Sequence, residues 1–424
     1  MSSPLLQALE QPPGPQLAQA LLDLGTAAVV SLEEARAICS ALVGLDRLPP
    51  CGVAQPRDAD ADVPATALYM LASLFQRIED EEALRHLQER GMPQLHAAYD
   101  RRLSAPQRNR DDLLFLLKIF AMHPDPEGLE RITSAARKGM WSEDTLWQAV
   151  LGLFGPDHPQ ASLLLERLAS PLPHGFIAVA LLDCANSLLL GGIKAEHPFA
   201  CERGLALLED YLTDNDKRYF SYAHSATAAL PFIPRPGRDR LLALSLDHAS
   251  PRVQLEAAWA SVRVGSKAGV KLLKRACLDP RRAGVARAYL KELDLRDEIP
   301  EEAYDHDLLA QSELCLWLSH PHEYGRPPDS LEVVDKRRIY WPPAHEERDV
   351  WLIGFEYEST EEDRPQRGVG MVGSITFCLY GEGTPERDPL EVYALHCCWE
   401  LQINQDPRAP AERSVEAGRQ LLGL

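Results

Sequence analysis

The chain has no run of about eighteen apolar residues, the length a helix needs to cross a bilayer, so no membrane span is expected. Met1 to Leu9 lacks the basic stretch and long apolar core of a secretion signal. Motifs that announce chemistry are missing too. There is no Gly-x-Ser-x-Gly elbow, no phosphate-binding loop and no His-Glu-x-x-His pair, and no motif implies a cofactor. Excess positive charge is also absent. The 424 residues carry a formal net charge of −19, which repels nucleic acid and anionic lipid at long range. The nine cysteines do not read as a disulfide framework. Their number is odd, their spacings are wide and most lie in apolar runs, as expected of reduced thiols in a cytoplasmic protein.

What is present is an apolar fraction of 45%, enough for a large core, on a chain too long for one compact domain. Three regions are expected. Residues 1–62 hold an N-terminal helical segment and a linker. Helical spacing appears around Leu17–Leu24 and Ser31–Leu42, where Ser31 followed by Glu33 and Glu34 makes a helix start. A Pro/Gly/Asp stretch from Pro49 to Pro64 then reads as a linker.

Residues 63–310 share one texture. Amphipathic segments alternate with short breaks rich in Pro, Gly and Asp, and the breaks recur at His123-Pro124, His158-Pro159, His197-Pro198, Pro236 and Ser266. Intervals of roughly 30–40 residues suit helix-pair repeats. The expected first helices are Gly128–Arg137, Gln160–Leu168, Cys201–Leu212, Arg238–Leu246 and Ala268–Cys277. The expected second helices are Ser142–Phe154, Phe176–Leu190, Tyr219–Leu230, Arg252–Val264 and Ala283–Leu293. Small residues in the second helices, such as Ala257, Ala258 and Ala260, allow close approach between neighbours.

The unit Asp247-His248-Ala249-Ser250-Pro251-Arg252-Val253 with Ala257-Ala258 resembles a HEAT repeat of the short phycobilin-lyase type, and Asp279-Pro280-Arg281-Arg282 with Val285, Ala286 and Ala288 is a looser copy. The resemblance covers about Gly128–Leu295. It implies a mainly α fold, a HEAT-like α-solenoid of stacked helix pairs. It implies no catalytic residues, because the repeat consensus is a packing pattern.

Residues 311–424 read as a small α+β module with an antiparallel sheet. Period-two alternation appears over Trp351–Tyr357, Met371–Leu379 and Tyr393–Ile403, which predicts strands, and Ala411–Leu422 suits a closing helix. The economical arrangement is a meander of three or four strands with one or two helices. Trp351, Phe355, Phe377, Trp399 and Leu401 are the expected core. Gly368-Val369-Gly370-Met371-Val372-Gly373 leads into a strand and reads as a hairpin start, not as a dinucleotide loop.

Two groups in this module have chemistry-bearing residues. In the expected third strand, His396, Cys398 and Glu400 fall on one face, a combination that can bind zinc or activate a thiolate, as an enzyme or lyase-like protein would require. The alternative is a packed polar sheet face. His320 and His322, with Glu323, are candidate metal ligands on a loop that Pro and Gly otherwise explain as a turn. The histidines at His123, His158 and His197 belong to repeat turns.

One segment departs from the overall charge. Arg235 to Lys291 carries thirteen basic residues against four acidic ones. Some relatives of the HEAT type act on DNA through basic surfaces, but the acidity of the whole chain argues against a nucleic-acid partner. The acidic segment Asp297–Glu313 follows directly and offers intramolecular pairing. The expected function is a protein-binding scaffold, with Lys271, Lys274, Arg282 and Arg287 meeting an acidic protein surface. Their placement on first and second helices predicts a spread patch and not one deep groove.

Overall fold

The computed structural model describes residues 3–10, 30–42, 78, 80–107, 109–320, 322–358, 367–380, 386–403 and 412–424. The chain is mainly helical with a small antiparallel sheet and divides into two compact units, Met1–Leu241 and Leu242–Leu424. Among the described residues no helix is long and apolar enough to cross a membrane. The expected helix at Leu17–Leu24 and the expected linker at Pro49–Pro64 lie outside the described residues.

The first unit opens with α1 (Pro4–Leu9) and α2 (Leu32–Leu42). The Ser31 hydroxyl accepts from the Glu34 amide at 3.3 Å, and the Glu34 carboxylate accepts from the Ser31 amide at 2.8 Å. This reciprocal cap is what the sequence predicts at that start. Next come α3 (Glu81–His86) and α4 (Met92–Arg102), then α5 (Arg110–Met122) and α6 (Pro126–Arg137). The series continues with α7 (Leu146–Leu151), α8 (Ala161–Ala169), α9 (Phe176–Leu190), α10 (Glu202–Thr213), α11 (Phe220–Ala229) and α12 (Gly237–Leu246). All the helices expected from the repeat spacing here are present. α7 is shorter than expected, because residues before it form a turn in which the Asp144 carboxylate accepts from the Leu146 amide at 2.9 Å. α5, α7, α9 and α11 pack side by side in succession, and α6 packs against α8.

The turn histidines have a defined job. Nδ1 of His158 accepts from the Gln160 amide at 3.2 Å, and Nδ1 of His197 accepts from the Phe199 amide at 3.2 Å. In the second unit His248 does the same to Ser250 at 3.0 Å. Each ring closes a turn as an Asx side chain does, which requires Nδ1 to be unprotonated. Burial pushes the His197 imidazole down to about 4 and also lowers His123, His158 and His248.

The boundary between the units falls within α12, and the second unit continues with α13 (Pro251–Arg263), α14 (Lys267–Ala276) and α15 (Pro280–Glu292). Pro251 and Pro280 occupy first turns, where a missing N–H costs nothing. α13 packs against both α14 and α15. Gly269 permits this, because a Cβ there would overlap the Ala258 carbonyl oxygen. α16 (His306–Leu318) follows, packs on α15 and covers one face of a four-stranded meander. The strands are β1 (Ser330–Trp341), β2 (Glu346–Glu356), β3 (Arg367–Val372) and β4 (Cys378–Tyr380). α17 (Pro389–Glu400) covers the other face, and α18 (Glu412–Leu422) packs on α17.

Two apolar clusters result. Ala310, Leu314 and Leu318 of α16 meet Trp351, Ile353 and Phe355, while Val392, Tyr393 and Cys397 of α17 meet Trp341, Val350, Leu352 and Met371. β1 serves both clusters. Its register with β2 shifts between Val333 and Asp335, a bulge that changes the side-chain parity. Leu331 and Val333 therefore face α16, and Ile339 and Trp341 face α17.

The structure corrects the expected third strand. Residues Pro389–Glu400 form a helix, capped by Asp388, whose carboxylate accepts from the Leu390 amide at 2.8 Å. Trp351 and Phe355 are core residues as expected, Phe377 and Trp399 are half-buried, and Leu401 is 36% exposed. The Gly368–Gly373 stretch is also corrected. Gly368 to Val372 lie within β3, Gly373 at φ 93° begins the turn to β4 so that the expected strand Met371–Leu379 is broken there, and a Cβ on Gly370 would overlap Leu314 of α16.

Candidate functional site

His396 and Glu400 do come together, but as neighbours one helical turn apart on α17. Nε2 of His396 lies 3.1 Å from a Glu400 carboxylate oxygen and 3.1 Å from the Thr376 carbonyl, so it carries the proton shared towards both acceptors. The same carboxylate accepts from the amides of Ile375 at 3.0 Å and Thr376 at 2.8 Å, from the Thr376 hydroxyl at 3.0 Å, and from the Trp341 indole at 2.6 Å. Its side chain is 2% exposed and that of His396 is 0% exposed. Burial works to raise the Glu400 carboxyl, but hydrogen bonds from His396, Thr376 and Trp341 hold it down to about 2. The group ties the end of β1 and the loop after β3 to α17.

Cys398 is not part of it. On a helix a residue two positions from His396 projects elsewhere. Its thiol is buried and donates to the Ser414 carbonyl of α18 at 3.2 Å. Burial raises that thiol above its ordinary range. The expected common face of His396, Cys398 and Glu400 depended on a strand and is replaced by this helix geometry.

His320 and His322 lie on an exposed turn, with Nδ1 of His320 accepting from the His322 amide at 3.3 Å. Among the described residues no group of three or more His, Cys, Asp or Glu side chains is arranged to hold a metal ion.

The basic residues separate into two sets. Lys274 pairs with Glu298 at 2.7 Å, within the acidic segment that follows. Arg282 pairs with Asp279 at 2.8 Å, and Arg287 donates to the Ala303 carbonyl at 2.8 Å. These three hold the second unit's own turns together. Lys271 differs. It lies on the exposed face of α14 with Lys267, Ala268, Leu272 and Arg275, and Leu278 continues that face beyond the helix end. Gly269, Leu273 and Ala276 form the buried face. Lys267, Lys271 and Arg275 follow four-residue steps, so they stack along one side. Among the described residues none of the three makes an ion pair. Leu272 is 40% exposed and Leu278 46% exposed beside them.

Sequence reasoning placed Lys267, Lys271 and Arg275 on or beside this helix but chose only Lys271 of the three as a binding residue, and it missed Leu272 and Leu278 on the same face. The signal was available, since exposed positions at 267, 271 and 275 and apolar positions at 269, 273 and 276 are a helical pattern. No protein-family model matches the chain, and no curated protein or solved structure matches it.

Proposed function

We propose that the chain is a protein-binding scaffold built on HEAT-like helix pairs, and that the exposed face of α14 docks an acidic partner surface. The observation that carries this reading is the cationic and apolar stripe of Lys267, Lys271, Leu272, Arg275 and Leu278. Exposed leucines beside three cations suit a partner that offers both apolar area and carboxylates. The succession of neighbouring helix pairs supports the repeat reading, as do the Pro-started second helices α13 and α15. Buried free thiols such as Cys184, Cys277 and Cys315 favour a reducing, cytoplasmic setting. Duplex nucleic acid fits less well, because the stripe sits in a chain of net charge −19.

A photo-crosslinker placed at position 272 tests the reading, with the exposed position 206 on α10 as control. The expected result is an adduct with an acidic protein from 272 only, lost when Lys271 and Arg275 are changed to Glu. Equal adducts from both positions, or adducts indifferent to the charge reversal, overturn it.

A further inference from the structure

A second surface, in the first unit and of opposite character, is independent of the α14 stripe. It lies where first helices turn into second helices. Tyr222, in the first turn of α11, has three aromatic neighbours. Its ring centroid is 5.3 Å from Tyr219, 5.5 Å from Tyr211 at the end of α10, and 6.2 Å from Phe176, the first residue of α9. The rings meet at angles of 49°, 71° and 51°, so they are tilted and do not stack into a closed block. Tyr219 is 39% exposed, and the other three are half-buried.

The charge here is negative. Glu143, in the turn before α7, is exposed, and its charge acts on both Tyr211 and Tyr222. Gly175, the cap of α9 at φ 62°, leaves room for it, since a Cβ there would overlap the Glu143 carboxylate. Asp210 and Asp214 are exposed at the end of α10. The chain already places cations beside these rings: Lys217 is exposed in the same turn, and the Arg218 guanidinium lies 5.6 Å from the Tyr219 ring centroid while paired with Asp216 at 2.6 Å. Unlike Tyr289 and Tyr357, which hydrogen-bond within the chain, Tyr211, Tyr219 and Tyr222 make no hydroxyl hydrogen bond to a described residue.

We propose that this aromatic and acidic ridge docks a basic peptide segment of a partner protein, with an arginine side chain set against Tyr219 and Tyr222 and paired with Glu143. Arginine suits the ridge better than lysine, because a planar guanidinium covers a ring face and forms a two-point contact with a carboxylate. A small ammonium ligand fits less well, because it would leave the exposed carboxylates of Asp210 and Asp214 at the end of α10 without a partner. Tyrosine-rich patches of this kind supply contact area with little loss of side-chain entropy. The net negative charge of the chain speeds encounter with a basic segment.

The test is calorimetric binding of an unstructured peptide of three Gly-Arg-Ser repeats to the full chain, beside the same peptide with lysine for arginine. The expected result is measurable binding of the arginine peptide and weaker binding of the lysine peptide. Tyr219→Ala and Glu143→Gln should each lower affinity by about tenfold, while Tyr219→Phe retains most of it. A control variant, Glu346→Gln with Glu347→Gln, removes exposed charge from the second unit and should bind as the parent does. Circular dichroism melting confirms that Tyr219→Ala folds. Equal weakening by the control pair would reduce the effect to general charge attraction and overturn the proposal, as would full affinity in Tyr219→Ala. Self-association that disappears in Glu143→Gln would assign the ridge to a second copy and also overturn it.

Discussion

His396 and Glu400 lie one turn apart on α17, with the imidazole nitrogen 3.1 Å from the carboxylate, both side chains excluded from solvent. Five donors converge on that carboxylate, so it is a fastening and not an open site. Glu400→Gln turns an amide towards N–H donors and should cost about 3 kcal/mol of stability. The acid limb carries the sign. A carboxyl held at about 2 in the folded chain and near 4.5 when unfolded stabilises the fold above pH 4.5 and loses that contribution as pH falls through 2. Chemical denaturation across that range should show a shallower acid loss for the variant. An identical profile would mean that the network contributes nothing.

Thiol accessibility distinguishes the helix from the expected strand face. Cys201 is exposed, whereas Cys184, Cys315 and Cys397 are buried and pushed up to about 12, and Cys398 is buried and raised. Among these five thiols, alkylation followed by peptide mapping should label Cys201 first, with Cys398 reacting only as the protein unfolds. Rapid native labelling of Cys398 would restore a reactive His396–Cys398 face.

The turn histidines predict a second pH dependence. Burial holds His197 at about 4, against 6.5 for the free side chain. Below pH 6.5 the unfolded chain binds a proton that the folded turn refuses, so stability falls until about pH 4. The loss from this residue is roughly 3 kcal/mol. His197→Asn keeps an acceptor for the Phe199 amide without a titrating ring. The variant should be less stable near neutral pH but should lose less stability between pH 6.5 and 4. A slope equal to that of the parent would contradict the assignment.

The helices were legible where one face meets solvent. Phe176–Leu190 is mostly buried and was legible for another reason, since Pro/Gly breaks bracket its apolar run, and the expected start at Ser31 carries a real cap, whereas α15 begins at Pro280, capped by Asp279, three residues before the expected Ala283. α17 was misread because it lies between the sheet and α18. Residues Val392 to Cys398 are all buried, so the helical period is erased and chance alternation remains. Its start was still written in Asp388-Pro389 and Glu391, a cap, a first-turn proline and an early acid. β1 was not identified as a strand for the opposite reason. The bulge between Val333 and Asp335 moves its apolar residues from one face to the other, so no single alternation runs through Ser330–Trp341. The basic segment was legible as composition, but only geometry shows that Lys274, Arg282 and Arg287 are committed internally while Lys271 is not.

The central claim is that the face of α14 is a docking surface, and one comparison tests it most directly. The partner crosslinked at position 272 would be purified and its affinity measured against the parent chain and against a variant with Lys267, Lys271 and Arg275 changed to Glu. A second series would use Lys274 and Arg282 changed to Glu. Exposed charges are screened beyond about 8 Å at physiological ionic strength, so binding should weaken as salt rises. The α14 variant should lose at least about tenfold in affinity at low salt and become nearly insensitive to salt, while the Lys274/Arg282 variant should lose stability but retain most of its affinity. Unchanged affinity and an unchanged salt slope in the α14 variant would contradict the account.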